Sequence, residues 1–348
     1  METFNTEGSD TEGSDLRALA KVELHRHLDG SVRVETILDL ARSQGIDVGP
    51  AERLTITSPM EDLAAVLACF GALSAVLGSA ESLSRVTFEN IEDACRDGVR
   101  LLELRFAPPF IAQCKALSND EIIEGVLDGM ARAAARYPVE VGLIGILPRS
   151  APLEVNRRAT RDLVRWRASC APGADRICGF DLADREAGVD AAIYLPMVDQ
   201  AREAGMGITI HSGEDTDAAH VARTLDLFKP RRIGHGIRAW GDLKVMARLR
   251  DEDVLLEVCP TSNWLTRAAP SLASHPLPLL HRAGVPVSIN SDDPRLMAID
   301  LVHEYEVCRS LYGFTDGELA ATNRAAFTHS FLPAAVTDRV KGLFFPGG

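Results

Sequence analysis

The sequence is short of positive charge. Its 348 residues carry 37 Lys and Arg against 50 Asp and Glu, a formal net charge of −13. Nucleic acids and anionic membrane surfaces reward clustered Lys and Arg, so neither is an expected partner, and a small molecule is. No apolar run approaches the roughly 20 residues of a membrane helix. The start has neither the basic nor the apolar region of a signal peptide, which points to the cytoplasm. The seven cysteines are odd in number and scattered, with no CxxC pair. That pattern argues against a disulfide framework or a cysteine-based zinc site and fits a reducing compartment, with each thiol a small buried hydrophobe. No GxGxxG follows the first candidate strand, which disfavours a dinucleotide-binding open sheet.

What is present reads as one large α/β domain. Hydrophobic residues make up 46% and charged residues 25%, and a chain of this length buries a substantial core without disulfides. Residues 1–15, METFNTEGSDTEGSD, repeat TEGSD and are expected to form a disordered acidic tail. Residues 16–348 are expected to form a single domain. Eight apolar or β-branched runs alternate with amphipathic segments: Lys21–His27, Val99–Ala107, Val139–Leu147, Ile177–Ala183, Gly207–Glu214, Arg231–His235, Val254–Cys259 and Val285–Asn290. Helical spacing marks Ser82–Asp97, Asp120–Tyr137, Ala191–Ala204, Ala219–Phe228, Leu243–Arg250 and Pro276–Ala283. This alternation predicts a parallel (β/α)8 TIM-type barrel. About 70 residues separate the first two strands. They contain SVRVETILDLARSQG and MEDLAAVLACFGALSAVL, a helical insertion over the barrel mouth whose Val66, Leu67 and Phe70 would meet a flat apolar substrate.

Polar residues that look misplaced fall at the C-terminal ends of the strands, where barrel enzymes carry their chemistry. The first strand ends in His25 and His27, which share a face because strand side chains alternate. HSGED, GHG, CPTSN and INSDDP end the last four. Alone, an HxH pair is as often a satisfied strand edge as a ligand pair. Joined by His211 and Asp292, it becomes three imidazoles and a carboxylate, a set suited to zinc with one open position. The fourth strand ends without a lysine that could bridge two metals, so one ion per chain is expected. Glu214, three residues beyond His211, is placed to pass a proton between the activated water and a substrate nitrogen. His235, between two glycines, is placed to orient that water. Asp292 and Asp293 cannot both be satisfied by apolar packing; one at the metal and one at the substrate resolves the cost. His220, His275, His281, His303 and His329 fall in helical or loop patterns and are expected to serve surface or packing roles.

KVELHRHLDG, HSGED, IGHG, CPTSN and SINSDDP, in this order, resemble the adenosine deaminase family, and RVTFENIEDA and AIDLVHEY look especially like its bacterial members. The similarity runs from about Leu19 to near Phe331. The resemblance implies zinc-dependent hydrolytic deamination of adenosine and 2′-deoxyadenosine to inosine and deoxyinosine, a step of purine salvage. It places zinc on His25, His27, His211 and Asp292, Glu214 at purine N1 and His235 at the attacking water. It also places Asp293 at N7 and Asp29 at the ribose 5′-hydroxyl, with His27 and residue 184 lining the substrate. It is not the cytidine-deaminase chemistry, which would need HxE with PCxxC. One position departs from the family. Members usually read Leu-Ala-Gly-Asp-Glu after the fourth strand, the glycine N–H meeting purine N3. Here Asp184 stands in its place, with Arg185 beside it as an expected charge partner. Two alternatives therefore stay open: a deaminase of a modified adenine nucleoside, such as aminodeoxyfutalosine or a 5′-substituted adenosine, and a catalytically silent purine-binding homologue.

Overall fold

In a computed structural model of the chain, residues 15–114 and 117–346 are described. The expected acidic tail, apart from Asp15, lies outside them. Eight strands follow one another around a barrel in sequence order, every neighbouring pair parallel: β1 (Lys21–His27), β2 (Val99–Phe106), β3 (Glu140–Pro148), β4 (Ile177–Ala183), β5 (Gly207–Ser212), β6 (Arg232–His235), β7 (Leu255–Val258) and β8 (Val287–Ile289). β8 returns to β1 through Leu24 N–H to Asn290 Oδ1 at 2.9 Å, His27 N–H to the Asp292 carbonyl at 2.8 Å and Asp292 N–H to the His25 carbonyl at 3.0 Å. The (β/α)8 expectation holds.

The insertion after β1 contains α1 (Val34–Gln44) and α2 (Leu63–Ala75), and α3 (Ala80–Arg96) leads into β2. α4 (Pro108–Cys114) and α5 (Asn119–Ala134) precede β3, and α6 (Leu153–Arg167) links β3 to β4. The later crossovers are α7 (Leu195–Glu203), α8 (Ala218–Phe228) and α9 (Leu243–Asp251), then α10 (Pro260–Leu265) with α11 (Leu277–Arg282). α12 (Leu301–Glu306) and α13 (Asp316–Thr328) follow β8. Local chemistry starts the long ones: Ser79 and Ser118 each cap a helix in a reciprocal capping box, which satisfies otherwise orphaned N–H groups. α6 is absent from the periodic reading because two of its core-facing positions are the polar Asn156 and Thr160. No single helix among the described residues is long and apolar enough to cross a membrane.

The barrel interior is polar in its middle layer. Arg105, Asp181, Arg232 and Glu257 are fully buried there. Arg105 reaches Asp181 Oδ2 at 2.6 Å and also contacts Glu257; Arg232 is ion-paired with Glu257 Oε1 at 2.6 Å and Glu103 Oε2 at 2.7 Å. At the closed end the Phe331 ring plugs the barrel beneath the Arg232 guanidinium, 3.5 Å from its centroid. Gly207 is required there, since a Cβ would sit 2.2 Å from that ring. β5 stops at Ser212, two residues before its expected end. Gly213 turns to φ 74°, and the N–H groups of Gly213 and Glu214 are taken by the Glu186 carboxylate instead of a neighbouring strand.

Candidate active site

The strand ends bring His25, His27, His211, Glu214, His235, Asp292 and Asp293 to one mouth, around a cavity of about 320 Å³. Every candidate site residue is there: Asp29 and Asp184 also line it. α2 covers the opening with Leu63, Val66, Leu67 and Phe70, as expected of the insertion, and Phe70 meets Phe110 edge-on. One wall is therefore apolar and the other bears the charge, the usual make-up of a small-molecule site.

His25 Nε2 and His27 Nε2 lie 3.2 Å apart, and Asp292 Oδ1 is 3.3 and 3.2 Å from them. His25, His211 and His235 also bring possible ligand atoms within 4.8 Å of one another, as do His25, Cys259 and Asp292. Behind the rings stand carboxylates: His25 Nδ1 is 2.9 Å from Glu257 Oε2, and His211 Nδ1 is 2.9 Å from Asp181 Oδ2. Each Nδ1 donates outward, which leaves the Nε2 lone pair facing inward, as metal-binding histidines require. Burial drives the His211 imidazole down to about 4 against the pull of Asp181, so it is neutral and ligand-competent at neutral pH. Burial would raise Asp292, but His25 and the neighbouring imidazoles outweigh it and hold the carboxyl well below its usual range. Cys259 is different. Burial, reinforced by Asp292, pushes its thiol well up, and Sγ donates to the Glu257 carbonyl at 3.7 Å. The donor set of imidazoles and one carboxylate fits a divalent transition metal.

The polar wall is primed by burial. Glu214 is desolvated and lies near Asp292 and Glu186, which raises its carboxyl well above the usual range; its Oε2 is 3.4 Å from His235 Nε2. Burial, with Asp292 and Asp29 adding, raises Asp293 in the same way. Asp29 Oδ1 and Asp293 Oδ1 have no hydrogen-bond partner among the described residues, an arrangement that costs energy unless a polar group of a ligand arrives. Gly30 makes room for Asp293, whose Oδ1 would stand 1.7 Å from any Cβ at that position.

Asp184 takes the left-handed φ of 76° that a glycine would adopt freely, a conformation Asp tolerates through local hydrogen bonds. Its Oδ1 accepts from the Arg185 main-chain N–H at 2.7 Å and its Oδ2 from the Ser150 N–H at 3.1 Å. The expected charge pairing with the Arg185 guanidinium is not found among the described ion pairs; Arg185 is exposed and contributes its backbone. The guanidinium that does contact this residue is that of Arg149, buried beyond β3, which donates to the Asp184 carbonyl at 2.9 Å and to the His211 carbonyl at 2.7 Å.

Several residues of the site escape sequence reasoning. Glu186 accepts from the N–H groups of Gly213 at 2.7 Å, Glu214 at 2.9 Å and Asp215 at 3.4 Å, and His220 Nδ1 lies 3.0 Å away. Its own burial favours the acid, but His220 and Arg149 prevail and keep it ionised. His220 and His275 were expected in surface or packing roles; one braces Glu186, and the other bonds Asn263 at 3.1 Å, which in turn touches His235. For Asp181 and Glu257 a signal existed, since both point inward from strands, but nothing local names their histidine partners.

The adenosine deaminase family model matches residues 20–342. The chain belongs to the adenosine deaminase family. It is 35% identical over 318 residues to an adenosine deaminase of Shewanella loihica, covering 89% of this chain and 94% of that one. Among solved structures it is similar to an adenine deaminase from Arthrobacter aurescens, with 27% identity, a TM-score of 0.85 and coverage of 94% and 98%. It is also similar to the N6-methyl-AMP deaminase of Arabidopsis thaliana, with 25% identity, a TM-score of 0.81 and coverage of 96% and 98%.

Proposed function

We infer that this chain is a hydrolytic adenosine deaminase that converts adenosine and 2′-deoxyadenosine to inosine and deoxyinosine with release of ammonia, and that residues 16–348 act as one catalytic domain. The observation that carries the reading is the convergence of carboxylate-backed imidazoles, Asp292 and a desolvated Glu214 on a cavity with an apolar lid. One zinc ion on His25, His27, His211 and Asp292 would supply a water acidic enough to attack at neutral pH.

The protein's own groups account for the rest of the reaction. The purine lies against Val66, Leu67 and Phe70, which exclude bulk water from C6. Glu214 gives its proton to N1 as the oxygen adds at C6, since a buried, protonated carboxyl is suited to that transfer, and the carboxylate so formed passes the proton of the added oxygen to the amino group, which leaves as ammonia. His235 hydrogen-bonds the attacking oxygen. Asp293 meets N7, Asp29 meets the ribose 5′-hydroxyl, the Asp184 N–H meets N3, and His27 borders the ring. Cys69, Cys95, Cys170, Cys178, Cys259 and Cys308 are free thiols, in keeping with a cytoplasmic enzyme of purine salvage.

A second reading, deamination of a modified adenine nucleoside, rests on Asp184 in place of glycine. A steady-state panel of adenosine, 2′-deoxyadenosine, adenine, 5′-substituted adenosines and N6-methyl-AMP decides between them. Adenosine is expected to give the highest kcat/KM; a preference of tenfold or more for another member would overturn the substrate assignment. Metal analysis is expected to find one zinc per chain, and two tightly held ions would refute the mononuclear site.

A further inference from the structure

His235 closes β6 with φ 58°, and its two ring nitrogens face different neighbours. Nδ1 is 3.0 Å from the Asn263 amide nitrogen in α10. The Asn263 amide oxygen is 3.1 Å from His275 Nε2, and His275 Nδ1 is 3.1 Å from the main-chain nitrogen of Leu277, the first residue of α11. All three side chains are buried.

The direction of every bond in this chain follows from its far end. A main-chain N–H can only donate, so His275 Nδ1 presents a lone pair and its single proton sits on Nε2. That proton requires an acceptor, which orients the Asn263 amide with its oxygen toward His275 and its NH2 toward His235. His235 Nδ1 must then accept, which leaves the His235 proton on Nε2. Nε2 is the nitrogen facing the cavity, 3.4 Å from Glu214 Oε2 and 3.9 Å from the Asp292 carboxylate Oδ2.

The metal-facing histidines are wired the opposite way. His25 and His211 have carboxylates against Nδ1, so their inward nitrogens are bare. By position His235 is their equal: its ring centroid is 4.9 Å from that of His25 and 5.1 Å from that of His211, which are 4.7 Å from each other. A metal needs the lone pair, and an N–H cannot supply one. Distance alone cannot separate ligand from donor here, but the hydrogen-bond chain does.

We propose that Asn263 and His275 are positioning residues that hold His235 in the Nε2–H tautomer, so that it stays outside the metal's ligand set and donates a hydrogen bond to the oxygen attacking C6. The tautomer follows from the hydrogen bonds alone; its use toward C6 rests on the deaminase reading. His235 in this form has no free nitrogen toward the cavity and does not take the proton of the attacking water.

The test is ¹⁵N NMR of the metal-loaded enzyme labelled at histidine, with the His235 signals assigned by their loss in His235→Gln. The wild type is expected to show a bare, pyridine-type Nδ1 and a protonated, pyrrole-type Nε2 for His235. In Asn263→Asp the carboxylate only accepts, so the proton is expected on Nδ1, with kcat down by about 10²-fold and KM changed less than threefold. His275→Phe removes the donor that orients Asn263 and is expected to give mixed His235 tautomers with a smaller loss. His275→Gln still donates to the amide oxygen and is expected to restore both spectrum and kcat to within about threefold. A protonated Nδ1 in the wild type, or His235 signals unmoved in Asn263→Asp and His275→Phe alike, would overturn the proposal. Should Asn263→Asp not fold, the wild-type spectrum and His275→Phe still decide. If the tautomer is as stated but no purine is turned over, the deaminase reading fails and the tautomer assignment stands.

Discussion

Removing the Glu186 carboxylate is the sharpest perturbation of this site that leaves every proposed ligand and substrate-contacting residue unsubstituted. Glu186→Ala deprives the Gly213 and Glu214 N–H groups of an ionised acceptor at 2.7 and 2.9 Å, together with a hydroxyl contact from Thr216 and the His220 imidazole. Hydrogen bonds to a charged partner contribute about 1.5–3 kcal/mol each. The two main-chain bonds alone therefore account for about 3–6 kcal/mol if the donors stay dry, and for less if water fills the space. The larger consequence is geometric. The Gly213 turn at φ 74° aims Glu214 into the cavity, and a displacement of about 1 Å at such a group costs on the order of 10²-fold in rate. The expectation is a kcat reduced by about that factor, a KM changed only a few-fold, an unchanged metal content and a lower Tm. Glu186→Gln keeps one carbonyl acceptor and should fall between. Steady-state kinetics with metal analysis and calorimetry on the same samples provide the readout. A Glu186→Ala enzyme with full metal and kcat within threefold of the wild type would refute the claim that this carboxylate positions Glu214.

Four further outcomes are expected. Glu214→Gln should retain its metal yet lose more than about 10²-fold in kcat, because an amide has no acidic proton to give to N1; turnover within tenfold of wild type would remove the proposed proton transfer. Asp184→Gly should leave kcat/KM for adenosine within about threefold and stability within ~1 kcal/mol, because the lost carboxylate bonds only backbone and glycine accepts the same φ. His211→Ala should abolish metal retention, measured by metal analysis after dialysis, and with it turnover. Burial lowers His275 to about 3, against about 6.5 in an unfolded chain. Between those values the unfolded state binds more protons, so this contribution is intact above pH 6.5 and is lost as pH falls toward 3, at up to about 1.4 kcal/mol per unit. Denaturant titrations at several pH values should show a flatter acid limb for His275→Gln.

The barrel was legible because its strands obey simple periodicities. Lys21–His27 and Ile177–Ala183 are found with the boundaries their apolar pattern gives, and α6 was missed where Asn156 and Thr160 turn polar side chains into the core. The proposed ligands were legible as well, because imidazoles and carboxylates stand out at the ends of apolar strands. The residues that set their chemical state were not. Glu257 is 232 positions from His25, Arg105 is 76 from Asp181, and Glu186 is 28 from Glu214; no local signature ties such partners together.

Composition and pattern were sufficient to determine a (β/α)8 barrel with a cluster of histidines and acids at the C-terminal ends of its strands, because strand alternation and apolar spacing are local properties of the chain. Only the tertiary structure decided what each of those groups is. It backed His25 and His211 with carboxylates and His235 with an amide, turned the Asp184 carboxylate onto backbone donors, and buried Glu214 next to Asp292 and Glu186. Protonation and tautomer depend on desolvation and on which partner sits behind a ring, and both are fixed only when distant segments close on one another.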